Sequence, residues 1–258
     1  MQAETTAPTA PAAPATPSLR ALAGRWETLL VALILITCVV GQGLSSEFLT
    51  TDSFTTGSLD FSEIALMALP LALVIIAAEI DLSVASVLAL SSALMADLWN
   101  AGLPLEFIMP ICLVAGALCG AFNGVLVTRF GLPSLAVTIG TLALFRGLAF
   151  VVIGDESVTD FPQVWTDRAF GNFAGTFIPD TIVLFAILAV AFGVLLHATP
   201  FGRSVYAIGA NEEAAYFAGL RVKRIKLILF VLSGTIAALA GIVISLRNST
   251  AAANVGQG

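Results

Sequence analysis

Apolar runs of bilayer-spanning length recur along the chain, and this feature limits the possible folds more than any other. A spanning helix needs about 20 residues, rising 1.5 Å each, to cross a hydrocarbon core of roughly 30 Å. Hydrophobic residues make up 58% of the 258 positions, and charged residues 11%. Only helices and closed barrels satisfy their backbone hydrogen bonds inside lipid. The sequence therefore predicts an all-α fold, a polytopic transmembrane helical bundle.

The apolar runs predict seven spans, of which the second and third are almost continuous. The spans are 26–44, 63–80, 82–99, 104–128, 132–154, 179–198 and 227–246. A single helix over 64–98 would be about 50 Å long, far more than a bilayer core, so the chain must break within it. We expect the break at Glu79-Ile80-Asp81-Leu82-Ser83.

The N-terminal residues 1–24 are rich in Ala, Pro and Thr and show no apolar periodicity. Such a segment cannot bury enough surface to offset its ordering entropy, which predicts a disordered tail ahead of a transmembrane domain at 25–258. The run after Arg25 also has features of a cleaved signal peptide. Because further spans follow immediately, an uncleaved first helix is favoured.

The distribution of basic residues predicts a cytoplasmic N-terminus. The positive-inside rule counts Lys and Arg near the span ends. This orientation leaves Arg168 and Arg247 outside and places inside Arg20, Arg25, Arg129, Arg203, Arg221, Lys223, Arg224 and Lys226. The loops 47–60 and 155–167 are then external, and the basic loop 199–226 faces the cytoplasm.

The loop 199–226 has the pattern of a short capped helix. Phe201-Gly202-Arg203 leaves the membrane, Asn211 is a candidate N-cap, and Gly219 is the expected stop of a helix over 212–219. Ala214, Ala215 and Ala218 would leave a surface that another protein can approach closely. Spacing alone leaves two interpretations equal: a helix that docks a partner, or a connector whose bases hold anionic lipid headgroups.

Two stretches resemble a known family. Glu213-Ala214-Ala215, three residues and then Gly219 resemble the cytoplasmic loop signature of ABC importer permeases. The stretch 78–86, Ala-Glu-Ile-Asp-Leu-Ser-Val-Ala-Ser, resembles Gly-Gly-Ile-Asp-Leu-Ser-Val-Gly of ribose-type sugar permeases, with Glu79 and Ala85 replacing glycines. The Ala-Glu-Ile-Asp-Leu-Ser form is similar to rhamnose and autoinducer-2 type permeases. Further similar stretches are 132–141, 146–149 and 201–211.

The resemblance implies a permease subunit in the bacterial inner membrane that translocates a monosaccharide or related small polyol. It implies a separate ATP-binding cassette subunit, a periplasmic sugar-binding protein and a second permease copy, as a homo- or heterodimer within the membrane lipid. Nucleic acid is not an expected partner. The family is expected to have about ten spans, so about three helices would follow Gly258 and the chain looks truncated.

The resemblance also suggests which residues couple the permease to its ATPase. These coupling residues are Phe201, Gly202, Arg203, Asn211, Glu213, Ala214, Ala215 and Gly219. A Walker A motif needs Gly-Lys followed by Ser or Thr, but the two lysines, Lys223 and Lys226, follow Val222 and Ile225. ATP hydrolysis is therefore expected on a partner chain, and the sequence suggests no catalytic group, metal site or cofactor.

Charged residues within the spans are candidates for the substrate pathway, because each costs roughly 2.5 to 3.5 kcal/mol near the bilayer centre. They are Glu79, Asp81 and Arg146, and the neighbouring polar candidates are Ser83, Asn123, Ser134 and Thr138. In one interpretation these side chains shape a route for a polyhydroxylated substrate. In the other, Asp81 or Ser83 caps the next helix and Glu79 lies near the interface. Glu79 and Asp81 are two residues apart and cannot share a helical face.

An ion- or proton-coupled secondary transporter is the alternative function. It would use the intramembrane charges of Glu79, Asp81 and Arg146 to couple transport to a gradient.

Small residues at four-residue spacing predict close helix packing. Gly116, Gly120 and Gly124 form such a ladder beside Asn123, and the set Ser233, Ala237 and Gly241 lies along the last span. Small side chains allow two helix backbones to approach each other.

Overall fold

The computed structural model describes residues 26–154, 156–176 and 178–255, and most of them lie in helices. The predicted tail 1–24 lies outside the described residues. The helices are α1 Trp26–Leu44, α2 Thr51–Ile76, α3 Val84–Asn100, α4 Leu105–Phe130, α5 Ser134–Ile153, α6 Gln163–Phe170, α7 Asp180–Ala198, α8 Pro200–Ala210, α9 Glu212–Phe217 and α10 Val222–Arg247. The two-residue strands β1 (Ser157–Val158) and β2 (Ala251–Ala252) pair antiparallel. The predicted all-α fold is confirmed.

Five of these helices, α2, α4, α5, α7 and α10, are long and apolar enough to cross a membrane. Residues 28–44 of α1 and the whole of α3 are shorter apolar helices. Each of the seven predicted spans therefore corresponds to a helix. Large apolar side chains are exposed along α4 and α7, including Phe107, Val114, Leu118, Ile187, Val190 and Val194. In water such faces would promote aggregation, whereas in a bilayer they contact lipid.

The described residues divide into two compact units, one that ends at Phe54 and one that begins at Thr55. In the first unit, a short turn after α1 packs the ring of Phe48 against Gly41. The second unit contains the other spans and all the candidate site residues.

The predicted external loop 47–60 is wrong from Thr51 onward, because α2 begins there. The hydroxyl of Thr50 accepts a hydrogen bond from the backbone N–H of Ser53 at 3.2 Å and so supports the helix start. Hydropathy measures the length of the apolar run, and the first turns of α2 are polar. The predicted external loop 155–167 likewise contains β1 and the start of α6.

Helix α10 packs closely against α4 through the predicted glycine ladder. A Cβ added to Gly120 would overlap the carbonyl oxygen of Phe230, and one added to Gly234 would overlap that of Gly116. A Cβ on Gly124 would meet the side chain of Leu227. The two backbones are thus in direct contact, which confirms the close approach that the spacing predicts.

A neighbouring face of α10 packs against α3 with small and hydroxylated residues. A Cβ on Gly241 would overlap the carbonyl oxygen of Leu88. The Ser91 hydroxyl donates to the carbonyl oxygen of Ala238 at 3.0 Å, and the Ser245 hydroxyl donates to the hydroxyl of Ser92 at 2.8 Å. These contacts make α10 the central helix of the second unit.

Candidate functional site

The break between α2 and α3 comprises residues 77–83, here called the break segment. Two hydrogen bonds of non-helical spacing end α2. The Ala78 N–H donates to the Ile75 oxygen at 2.9 Å, and the Glu79 N–H donates to the Val74 oxygen at 3.0 Å. Ala78 has a φ of 59°, the left-handed conformation usually taken by glycine at this position. The predicted break is confirmed, and it starts slightly before Glu79.

Side-chain exposure alternates along the break segment. Glu79, Asp81 and Ser83 are buried, whereas Ile80 and Leu82 are exposed. The three polar side chains therefore point into the protein, and the two apolar ones point out of it.

Asp81 anchors the break segment to α10. One carboxylate oxygen accepts from the N–H of Ser83 at 3.0 Å and from its hydroxyl at 2.6 Å. The other accepts from the hydroxyl of Ser233 on α10 at 2.7 Å. Three donors compensate the buried charge, and the bond to Ser233 connects residues far apart in sequence.

Helices α4 and α5 hold the same segment through polar side chains. The Asn123 amide donates to the Ser83 hydroxyl at 2.8 Å. Ser134 accepts from the backbone N–H of Ile80, and Thr138 donates to the carbonyl oxygen of Ile80, each at 3.2 Å. Five predicted pathway residues thus meet around the break, namely Asp81, Ser83, Asn123, Ser134 and Thr138. All five are buried. Asp81, Ser134 and Thr138 bind backbone groups that no helix satisfies, and Ser83 and Asn123 bind side chains of the cluster.

Glu79 and Arg146 lie outside this cluster. Glu79 pairs with Lys226 of α10, with 2.5 Å between the carboxylate oxygen and the ammonium nitrogen. Arg146 donates to the carbonyl oxygens of Ala253 at 3.1 Å, Val255 at 2.9 Å and Ala85 at 3.3 Å. Among the described residues it has no carboxylate partner, so its charge is compensated by backbone dipoles.

The corner between α7 and α8 begins the basic loop. The Thr199 hydroxyl accepts from the N–H of Gly202 at 3.3 Å and caps α8. A Cβ on Gly202 would overlap the carbonyl oxygen of Leu196, so this corner requires glycine. Phe201 packs against the apolar core beside it, and Arg203 is exposed.

Helix α9 is capped as the sequence predicts. The Asn211 side chain accepts from the N–H of Ala214 at 2.9 Å. Gly219 takes a φ of 85°, and the N–H of Leu220 then bonds back to the Ala215 oxygen at 3.1 Å. The expected cap and stop are both confirmed.

The outer face of α9 is aromatic. Tyr216 is 64% exposed and Phe217 is 78% exposed, with Glu213 and Ala214 also at the surface. The expectation that Ala215 belongs to this surface is wrong, because its side chain is buried in a cluster with Ile208 and Val222. A helix of fewer than two turns is too short for periodicity to identify its inner face.

Three residues that the sequence did not identify contribute to these contacts, namely Glu212, Lys226 and Ser233. Lys226 binds both Glu79 and Glu212, and Ser233 binds Asp81. Lys226 and Ser233 are seven residues apart and share a helix face, which is the available clue. In the described part of the chain, no group of three or more His, Cys, Asp or Glu side chains is placed to hold a metal ion.

Comparison with known proteins finds a family match over most of the chain. Residues 53–258 match the family described as "Branched-chain amino acid transport system / permease component". The autoinducer 2 import system permease protein LsrD of Enterobacter sp. (strain 638) is 32% identical over 238 residues, which are 90% of this chain and 72% of that protein. The LsrD protein of Klebsiella pneumoniae is 34% identical over 238 residues, 90% of this chain and 71% of that protein. No solved structure matches.

Proposed function

Because the chain belongs to the family of branched-chain amino acid transport system permease components, we propose that it is the membrane-spanning subunit of an ATP-binding-cassette importer. The chain is a multi-pass protein of the bacterial inner membrane, and the resemblance to importer permeases is confirmed at the level of the family. The finer proposal is that it imports a monosaccharide or a related small polyol, with ATP hydrolysed by a separate subunit.

Helix α9 is the observation that carries the proposal. It is capped at both ends, and its core side is fixed by Ala215, so it keeps its shape without a partner. It presents Tyr216 and Phe217 outward, and aromatic side chains of this kind are enriched at the centre of protein interfaces. We propose that α9 docks on the ATPase subunit.

The proposed substrate follows from the relatives and from the break segment. The relatives' names specify autoinducer 2 import, and a small polyhydroxylated molecule is the corresponding substrate class here. We propose that the pathway runs past the exposed side of the break segment, at Ile80 and Leu82, while the buried polar cluster maintains its shape. A second permease copy, identical or related, would complete the pathway, and a periplasmic binding protein would deliver the substrate.

The contacts of the intramembrane charges do not support the gradient-coupled alternative. Glu79 is paired with Lys226, Asp81 accepts three hydrogen bonds, and Arg146 is bound to three carbonyl oxygens. An ion- or proton-coupled mechanism needs a charge that exchanges its partner during transport.

Uptake by proteoliposomes tests the proposal. The chain is reconstituted with its ATPase subunit and binding protein, and labelled autoinducer-2, ribose and rhamnose are offered in turn. We expect uptake of one of them that requires the ATPase subunit and ATP and persists when a protonophore is added. Uptake that continues without the ATPase subunit and stops with the protonophore would establish the secondary transporter instead.

A further inference from the structure

Lys226 lies between two carboxylates that belong to different parts of the molecule. Its ammonium nitrogen is 2.5 Å from an oxygen of Glu79, in the break segment, and 2.6 Å from an oxygen of Glu212, in α9. Lys226 itself is in the first turns of α10. One cation thus connects the break segment, α9 and α10.

The three side chains differ strongly in exposure. Those of Lys226 and Glu79 are 8% and 10% exposed, whereas that of Glu212 is 57% exposed. Separating the inner pair would leave a buried charge without a partner, whereas Glu212 can be hydrated when it leaves. The inner contact is therefore the stronger one, and the outer contact is the adjustable one.

A second contact joins the same two regions. Gly209, near the end of α8, lies so close to the last turn of α2 that an added Cβ would overlap the carbonyl oxygen of Ile76. Only one residue, Asn211, separates α8 from α9. The loop that carries α9 therefore contacts the end of α2 through backbone atoms at Gly209, and it is linked to Glu79 of the break segment through Lys226.

We propose that Lys226 is a positioning residue that couples movement of α9 to movement of the break segment. This inference rests on the proposed function, in which α9 receives the motion of the ATPase. When α9 is displaced, Glu212 moves with it and pulls the ammonium group of Lys226. Glu79 must then move with this ammonium group or lose its ion pair with it. Glu79 stands where the ribose-type form has glycine, so this connection depends on an acidic residue that the usual form lacks.

Hydrogen exchange tests the connection in the permease alone. The chain in lipid nanodiscs is compared with its Lys226→Met and Glu212→Gln variants, and Lys223→Met serves as the control, since this exposed lysine of the same helix has no acidic partner among the described residues. Lys226→Met should accelerate amide exchange about tenfold in both 77–83 and 211–219. Glu212→Gln should accelerate it in 211–219 and leave the pair with Glu79 intact. Acceleration in one segment alone for Lys226→Met, or a profile equal to that of Lys223→Met, would overturn the proposal.

Transport per ATP hydrolysed tests the role of the connection in the complete transporter. With the labelled substrate that the wild type accepts, Glu212→Gln should lower uptake per ATP roughly tenfold while the ATPase subunit stays bound. Because Glu212 is exposed, this variant should fold normally. The triple variant Glu79→Lys, Lys226→Glu, Glu212→Lys restores both attractions with reversed charges and should recover uptake.

The two experiments separate the inference from the function on which it rests. A wild-type complex without ATP-driven uptake would reject the proposed function, whatever the exchange data show. The role of Lys226 would be rejected if the wild type takes up substrate and Glu212→Gln has the same uptake per ATP. It would also be rejected if the triple variant does not recover uptake. In both cases the proposed function would stand.

Discussion

Two adjacent contacts of α10 are built from opposite chemistry. Toward α4, the contact consists of glycines and carbonyl groups, with Gly120 against Phe230 and Gly234 against Gly116. Toward the break segment, two other residues of α10, Lys226 and Ser233, bind carboxylates through long or rotatable side chains. Backbone contacts tolerate no displacement without loss of packing, whereas hydrogen bonds and ion pairs can re-form after a shift. We infer that α4 and α10 move as one body and that motion occurs at the break.

The largest effect is expected from a large side chain placed in the contact between α4 and α10. Gly120→Leu should destabilise the protein by about 3 kcal/mol or more, because a Cβ at this position already overlaps the Phe230 oxygen. Thermal unfolding in detergent measures the effect. Gly140→Leu on the exposed part of α5, where nothing lies near the added Cβ, is the matched control. Equal stability of the two variants would show that the ladder is not a rigid contact.

The next largest effect is expected on the polar side. Asp81→Asn removes the charge that accepts three hydrogen bonds and should cost about 2 kcal/mol of unfolding free energy. Detergent unfolding of Asp81→Asn is compared with that of Asp97→Asn, an exposed position on α3. A loss no greater than that of Asp97→Asn would mean that Asp81 does not anchor the break segment.

Ser233→Ala isolates the single bond between α10 and the break segment. It leaves one oxygen of Asp81 without its donor and should cost about 1.5 kcal/mol. Thr235→Ala is the control, because its hydroxyl donates only to its own helix, at Val231. In a double-mutant cycle with Asp81→Asn, the two losses should be clearly less than additive. Strict additivity would show that the two side chains act independently.

The smallest expected effect has the opposite sign. Ala78→Gly relieves the left-handed strain of alanine, about 1 to 2 kcal/mol, and adds about 0.5 to 1 kcal/mol of chain entropy in the unfolded state. The net result should be a stabilisation of about 0.5 kcal/mol, seen as a higher melting temperature. A lower melting temperature would indicate that the break segment holds Ala78 without strain.

Local patterns predicted most of the fold. Apolar run length located the spans, the excessive length of 64–98 located the break, and Asn211 and Gly219 located the ends of α9. The four-residue spacing of Gly116, Gly120 and Gly124 predicted a close helix contact. Each of these signals lies within one continuous stretch of the chain, and such signals are visible in a single sequence.

The pairings at the site were not predictable in the same way. Asp81 and Ser233 are 152 residues apart, and no local pattern specifies that they meet. Hydropathy treated the polar first turns of α2 as a loop, although polar residues also form helices. The rule that residues two apart cannot share a face applies to a helix, whereas residues 79–82 are not helical. Glu79 and Asp81 are both buried there, and they bind Lys226 and Ser233 respectively.

The alternating exposure of the break segment restricts how this part of the chain can rearrange. A slip by one residue would bring Ile80 and Leu82 inward and leave Glu79, Asp81 and Ser83 on the outside. A slip by two would place Glu79 opposite Ser233 and Asp81 beside Asn123, where neither finds its present charge or donors. No neighbouring register is thus equivalent to the observed one. The break segment therefore cannot shift along α10 one residue at a time. A conformational change must either break all of its contacts together or move the segment and its contact partners as one unit.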